Sequence, residues 1–249
     1  LFTFYGLISL LMFRNTQEAG LVFDFNGWAK VFEEHSFIDV FSCFGYPGLH
    51  QLNHLFFYSF YKLFGFNGTA WYILFAMLHA FTAVLAFSLI QDICAHFFSR
   101  ENFKYLPFLA SFLFLSSPFA VDVVVSKVCL HYMLCTIFFY TSLRLFIQYL
   151  NQAQVFYLLG SLISFVLALF CIELAYILPV VVLYVMCFYV FKYDRKYVFK
   201  LWKAPALFFG ILFIFLLLHK LMVGSFIGHY GACLVYTSDA ADEVVSVGR

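Results

Sequence analysis

Charge is the scarcest property of this sequence. Only 11% of its 249 residues are charged, whereas a soluble globular domain carries about 25%. The 14 basic residues nearly balance the 13 acidic ones, and the formal net charge is +1. Because nucleic-acid-binding surfaces are strongly basic, we expect no nucleic-acid partner.

Paired cysteines and complete metal-binding motifs are also missing. No CxxC occurs, and the seven cysteines are scattered, most of them inside apolar runs. We interpret them as small buried side chains rather than as disulfides or metal ligands. His50 and His54 have the i, i+4 spacing of many zinc pairs, but no HExxH accompanies them. The residues alone therefore predict no metal site.

Apolar residues are present in great excess. They make up 65% of the chain, 38 of them are Phe, and the mean hydropathy is +0.94. The apolar runs are long and continuous, whereas a membrane β-barrel has segments of about 10 residues with alternating polarity. The sequence therefore predicts an integral membrane protein of the helical class, in contact with membrane lipids.

Seven apolar runs predict an all-α fold, a polytopic bundle of transmembrane helices. A spanning helix needs about 20 residues, so we interpret the first run, which has 13, as the second half of a truncated span. Pro118 is expected to end or kink the third span, and Pro179 to kink the sixth. The predicted spans are 1–13 (partial), 70–93, 106–124, 128–150, 155–171, 174–192 and 205–223.

Basic residues predict which side of the membrane each loop faces. The segments 94–105 and 192–204, together with the turn near Arg144, hold more than half of the Lys and Arg residues. Loops rich in Lys and Arg stay on the cytoplasmic side. More than half of the acidic residues lie in the remaining connections, which we expect to face the periplasm or lumen. These outer segments are 14–69, 118–127 and 171–174.

The outer segment 14–69 is rich in Phe, Tyr and Trp, which favour the headgroup level of a membrane. Within it, residues 49–64 place Leu52, Leu55, Phe56 and Leu63 at helical spacing. This pattern predicts an amphipathic helix in the membrane interface. A second short helix is predicted around 27–36. Long structured loops are usually functional, and this one would form the roof of a cavity.

Both ends of the sequence differ from the rest. Residues 234–249, "LVYTSDAADEVVSVGR", are abruptly polar and resemble a translated sequencing-library adapter. We expect this tail to be non-native and disordered, and exclude it from the fold. The membrane-embedded domain is then 1–233, and we interpret the chain as a fragment of a longer protein.

Three stretches carry a family resemblance. "FGYPGLHQLNHLFFYSFYKLFGFNG", "SSPFAVDVVVSKVCLHYML" and "LALFCIELAYILPVVVLYV" occur in this order over roughly residues 20 to 190. They resemble polytopic glycosyltransferases of the C-type (GT-C) fold, in the protein O-mannosyltransferase-like branch and its bacterial relatives. The chain departs from that pattern where Tyr46 is followed by Pro47 and where Asp24 is followed by Phe25 rather than a second acid.

The resemblance implies an inverting glycosyltransferase. Such enzymes take a sugar from a polyprenyl-phosphate donor on the periplasmic or lumenal face and pass it to a protein, lipid or glycan. An acid in the first outer loop, here Asp24, would be the general base that accepts the acceptor's proton. No cofactor is required by this reading, although a divalent metal with Asp24 or Glu34 stays open. We expect a multi-pass protein of the bacterial inner membrane.

Each candidate residue has a plainer interpretation beside the functional one. Asp24 is the proposed catalytic base or an N-cap residue. Asp122 and Lys127 bind substrate or pair with each other, since acids beside apolar spans mark a site or an ion pair. His79 is expected to make a helix–helix hydrogen bond. The predicted substrate-binding residues are Tyr46, His50, His54, Asp122, Lys127, His131 and Glu173.

Three other functions compete with this transferase. A surface-glycan polymerase or ligase would share the fold. A transporter or channel subunit would use Asp122, His131 and Glu173 as an ion or proton path. A membrane scaffold would leave the outer acids without a role. Ionisable residues concentrate at one predicted membrane face and no internal repeat is visible, which favours surface chemistry over transport.

Overall fold

The computed structural model describes residues 1–17, 21, 24–41, 49–97, 103–192 and 203–227, and every regular element in these ranges is helical. Tyr46, the predicted tail 234–249 and most of the basic segment 192–204 lie outside the described residues. The α-helices are α1 (Phe2–Met12), α2 (Asp24–Glu34), α3 (Phe37–Phe41), α4 (Gln51–Phe64), α5 (Gly68–Phe97), α6 (Leu106–Leu115), α7 (Val121–Val125), α8 (Leu130–Gln152), α9 (Val155–Leu169), α10 (Leu178–Lys192) and α11 (Lys203–Val223). Three 3₁₀-helices, Pro118–Ala120, Lys127–Cys129 and Glu173–Ile177, join them.

The all-helical fold class is confirmed, but the count of about seven spans is not. Three helices among the described residues are long and apolar enough to cross a membrane: Gly68–Ala95, Lys127–Gln152 and Lys203–Val223. A fourth span results if Leu106–Leu115 and Pro118–Val125, which are bent by 47°, are counted together. Helix α9 has 15 residues and is about 22 Å long, which is less than the hydrocarbon core of about 30 Å.

The bundle is held together by aromatic and aliphatic side chains. Helix α8 packs along α9 and α5, α5 also packs along α1 and α6, and α10 packs against α11. Wholly buried Phe146 of α8 meets Phe208 of α11, with ring centroids 5.8 Å apart, and Phe208 meets Phe165 of α9 at 5.3 Å. Large apolar side chains remain exposed on the outer helices, as expected for helices that face lipid.

The break after α6 follows from Pro118. Helix α6 ends at Leu115, where the chain cannot continue an α-helix into the proline. The freed carbonyl of Leu115 meets His79 Nε2 at 3.0 Å, which is the helix–helix bond expected of His79. Pro179, in contrast, does not kink a span: it lies in the first turn of α10, where a missing N–H breaks no bond.

Helices α2 and α4 form a layer over one end of the bundle. Phe25 and Phe32 of α2 meet Phe57 of α4 at centroid distances of 5.8 and 5.2 Å. Both helices also surround Trp71, which is wholly buried at the start of α5. Tyr61 donates a hydrogen bond of 2.6 Å to Glu33. The two predicted outer-loop helices therefore exist, and aromatic contacts join them into one unit.

The leucine stripe of α4 is not its buried face. Leu63 is 73% exposed, and Leu52, Leu55 and Phe56 are half-buried. The buried face begins with polar residues and continues with Phe57 and Tyr61; its polar members are Gln51, Asn53 and His54. Leu52 and Phe56 still pack against the core, whereas Leu63 faces outward, as the apolar residues of an interfacial helix do toward lipid.

The other end of the bundle holds an ion pair. Arg144 Nε of α8 meets Asp92 Oδ2 of α5 at 2.8 Å, and both side chains are partly exposed. Further along α8, the carbonyl oxygen of Leu150 accepts a hydrogen bond of 2.9 Å from the hydroxyl of Tyr189 in α10. These contacts tie α5, α8 and α10 together at the end opposite to the α2–α4 layer.

Candidate functional site

The predicted site residues gather around the N-terminal end of α8. Helix α2 packs against the 3₁₀-helix Lys127–Cys129, and α4 packs against α8. Asp24, the first residue of α2, and Asp122 of α7 are both exposed. Helix α7, which carries Asp122, packs against the same 3₁₀-helix. The end of a 23-residue helix carries a partial positive charge, which favours acids at this place.

A histidine–glutamate pair joins α4 to the bundle. His50, the residue before α4, places Nε2 at 3.2 Å from Glu173 Oε2, and both side chains are largely buried. The His50 ring also stacks on the ring of His131 in the first turn of α8, with centroids 6.4 Å apart and planes inclined by 14°. His131 Nδ1 lies 3.0 Å from the Val128 carbonyl oxygen, so Nδ1 carries the proton.

His54 lies one turn further along α4 and is wholly buried. Neither of its ring nitrogens has a hydrogen-bond partner within the described part of the chain. The ring of Trp28 lies against it at a centroid distance of 5.2 Å. Burial, together with the smaller influence of His50 and His131, lowers the pKa of His54 from 6.5 to about 4. At neutral pH the ring is uncharged.

Lys127 has an unusual position for a lysine. Its side chain is wholly buried, Nζ donates a hydrogen bond of 3.1 Å to the Val124 carbonyl oxygen, and the ammonium lies 4.9 Å from the centre of the Phe75 ring. Among the described residues no carboxylate lies within ion-pair distance of Nζ. The alternative interpretation of Asp122 and Lys127 as a structural ion pair therefore does not hold in the described arrangement.

A cavity of about 250 Å³ lies beside this end of α8, between α5 and the break after α6. Carbon atoms form nearly all of its wall. The hydroxyls of Thr82 and Thr136 are engaged by carbonyl oxygens of their own helices. Val123, the neighbour of Asp122, is part of the wall. The cavity therefore offers apolar surface directly beside the acidic cluster.

No metal-binding set is evident. Over the ranges that the structure describes, no three His, Cys, Asp or Glu side chains converge as metal ligands. His50 and His54 are close, but His50 is engaged with Glu173 and His54 is sealed behind Trp28. The described free cysteines are dispersed through the helices, as expected for small buried side chains.

Two residues of this region were not predicted from the sequence. Trp28 covers His54, and Gln51 buries an amide whose nitrogen and oxygen both lack partners in the described part of the chain. The sequence does contain a signal for Gln51. It precedes His54 by three residues, and this spacing places both side chains on one face of a helix. The apolar residues of α4 hid this polar stripe because a core-facing helix is expected to bury leucine.

Comparisons with protein-family models, with curated proteins and with solved structures found no match for this chain.

Proposed function

We propose that this chain is the membrane-embedded part of a glycosyltransferase that uses a polyprenyl-phosphate-linked sugar at the membrane face covered by α2 and α4. The observation that carries the proposal is that α2, which begins at Asp24, and α7, which holds Asp122, both pack against the 3₁₀-helix Lys127–Cys129 at the start of α8. The GT-C-like stretches of the sequence support the choice of reaction.

The proposed chemistry is direct displacement at the anomeric carbon. The acceptor hydroxyl loses its proton to the Asp24 carboxylate while its oxygen bonds to the sugar carbon. The bond from that carbon to the phosphate oxygen breaks, and polyprenyl phosphate leaves with the electron pair. Asp24 is exposed, so it is accessible to an acceptor from the aqueous side.

The donor has both an apolar and a charged part. The cavity beside Val123 has an apolar wall that suits an isoprenoid chain, and it would place the phosphate near the end of α8, where helix N–H groups favour an anion. Lys127 is buried, so we propose that it acts on the phosphate through space and not by direct contact. The roles of Tyr46, His50, His54, His131 and Glu173 in binding stay predictions.

The experiment compares Asp24→Asn with the unsubstituted protein in native membranes. Polyprenyl phosphates that carry radiolabelled glucose, mannose or N-acetylglucosamine serve as donors, and transfer of the labelled sugar from the lipid donor to membrane acceptors is measured. Loss of a general base costs about 10²–10⁴-fold in rate. We expect a decrease of that size in Asp24→Asn with an unchanged melting temperature.

Glu34→Gln is the matched control. Glu34 lies on the same helix, is exposed, and meets only Lys30 among the described residues, at 3.8 Å. We expect it to keep the full rate. Full transfer by Asp24→Asn, or the absence of any donor turnover by the unsubstituted protein, contradicts the proposal. Proton uptake into proteoliposomes without donor turnover would support the transporter instead.

A further inference from the structure

The first turn of α4 is fastened to the first turn of α8, to the chain after α9 and to the 3₁₀-helix Glu173–Ile177. Three contacts hold it: the His50–Glu173 pair at 3.2 Å, the His50–His131 ring stack, and a hydrogen bond of 3.2 Å from the Leu52 N–H to the Phe170 carbonyl oxygen. We call the side chains of His50, His54, His131 and Glu173 the histidine latch.

The opposite end of α4 has the features of a hinge. Helix α4 ends at Phe64, and Gly65 follows with φ of 53°, a left-handed conformation that glycine adopts without strain. Helix α5 begins three residues later, at Gly68. Phe57 and Phe64 also pack on Trp71 of α5, so a rotation about Gly65 would lift the first turn of α4 while the contacts at Trp71 stay.

The latch has more imidazole rings than carboxylates. It contains three imidazole rings and one carboxylate, so Glu173 can balance a single imidazolium. A proton on His54 would have no acceptor, because both ring nitrogens are wholly buried and unpaired in the described part of the chain. The charges that face His54 are those of His50, from its own helix, and His131, from α8; Trp28, from α2, is neutral. Adding protons therefore places like charges together in a dry space.

The same turn buries other polar atoms without partners. Gln51 Nε2 and Oε1 and Asn53 Oδ1 are inaccessible to water and make no hydrogen bond in the described part of the chain. A polar group that is buried without a partner has lost its hydrogen bonds to water and gained none in return. Lifting the turn would return all of these groups to water, so the docked position is poised to open.

We propose that the histidine latch is an acid-sensitive closure: acidification below neutral pH releases the first turn of α4 from α8 and from the 3₁₀-helix Glu173–Ile177. This inference does not depend on the chemistry proposed for Asp24. Histidine clusters that protonate near pH 5–6 are a known physical basis for such switches.

The direction and size of the pH effect on the equilibrium between the docked and the open turn follow from the pKa of His54. Its pKa is 6.5 when exposed and about 4 when docked, so the docked turn disfavours the proton. The docked state is fully favoured above pH 6.5 and loses that advantage as the pH falls toward 4. For this one proton, the ratio of open to docked molecules rises roughly 25-fold between pH 7.5 and pH 5.0.

Hydrogen exchange in nanodiscs tests the closure. The exchange protection of the amides of residues 51–56, corrected for the intrinsic pH dependence of exchange, is measured at pH 7.5 and pH 5.0. We expect it to fall by roughly 25-fold at pH 5.0, while the middle of α8 keeps its protection. Quenching of Trp28 fluorescence by an imidazolium at His54 should accompany the change, because the two rings are 5.2 Å apart.

Two variants and a control identify the group responsible. His54→Gln should remove most of the decrease in protection, and His54→Phe serves if the first variant does not fold, because it fills the site with a ring that takes no proton. His35→Gln is the control: His35 is exposed and outside the latch, so the decrease should persist. Unchanged protection at pH 5.0 in the unsubstituted protein, or an undiminished decrease in a folded His54 variant, would overturn the inference.

Discussion

Lys127 is a charged side chain that lies wholly inside the protein. A lysine almost never lies fully buried unless it is paired, yet this ammonium is satisfied by one carbonyl oxygen and the face of Phe75. Asp122, five residues earlier, stays exposed. The sequence allowed a functional or a structural role for this pair of residues, and the structure removes the simplest structural role.

We therefore expect substitutions of Lys127 and Asp122 to have separate effects. Lys127→Met keeps the length of the side chain and removes a buried charge, so the free energy of unfolding should rise by about 1–3 kcal/mol. Asp122→Asn should change it by no more than about 0.5 kcal/mol, because the carboxylate is exposed. Denaturant unfolding in micelles measures both.

Lys62→Met is the control for Lys127. Lys62 also donates to a backbone carbonyl oxygen, that of Phe32, and lies over the ring of Tyr58, but its side chain is exposed. Its substitution should have a small effect. A stability loss of several kcal/mol in Asp122→Asn would show that the ion pair forms after all.

Among the described glycines, Gly68 at the start of α5 has the closest neighbouring backbone. A Cβ atom at Gly68 would lie 2.4 Å from the backbone oxygen of Gln17. At this distance one of the two backbone segments would have to move. Gly27, on the exposed side of α2, has no atom within 4 Å of its Cβ position. Gly68 therefore has no room for a side chain, whereas Gly27 has open space for one.

Gly68→Ala should destabilise the fold by about 1–3 kcal/mol through overpacking. Gly27→Ala should instead stabilise it by about 0.5–1 kcal/mol, since alanine is the better helix former. Thermal unfolding of the two variants beside the unsubstituted protein provides the comparison. Equal effects of the two substitutions would mean that the Gln17 contact is absent in the membrane.

The positions of the helices along the chain could be predicted from the sequence, but not which face of each helix is buried. Apolar runs and prolines give α5, α8, α11 and the break at Pro118, because they depend on local composition. The buried face of α4 was hidden, since lipid accepts a leucine stripe as readily as a protein core does. The His50–Glu173 pair joins residues 123 positions apart, and no local pattern could connect them.

At the scale of the whole molecule, the two ends of the bundle differ in their charged residues. This difference is the basis for an orientation in the membrane. The α2–α4 layer and the acids lie at one end, and the Asp92–Arg144 pair lies at the other. The basic segment 192–204, most of which lies outside the described residues, follows α10 and precedes α11. From the positive-inside rule we propose that the layer lies at the outer face.

Labelling of introduced cysteines tests this orientation. In a background without native cysteines, Ser36→Cys should react with an impermeant thiol reagent in intact cells, because Ser36 is exposed next to α2. Val198→Cys, in the basic segment, should react only after the cells are lysed. The reverse pattern would overturn the orientation and, with it, the side on which we propose that transfer occurs.

The distance along the chain between His50 and Glu173 also has a consequence for biosynthesis. The pair cannot form until 123 further residues have left the ribosome, which takes roughly 6–25 s at 5–20 residues per second. During that interval the polar turn of α4 has no partner on α8 or beyond, although its leucine stripe can already rest on lipid. The docking of this turn therefore comes after α5, α6, α8 and α9 have been synthesised.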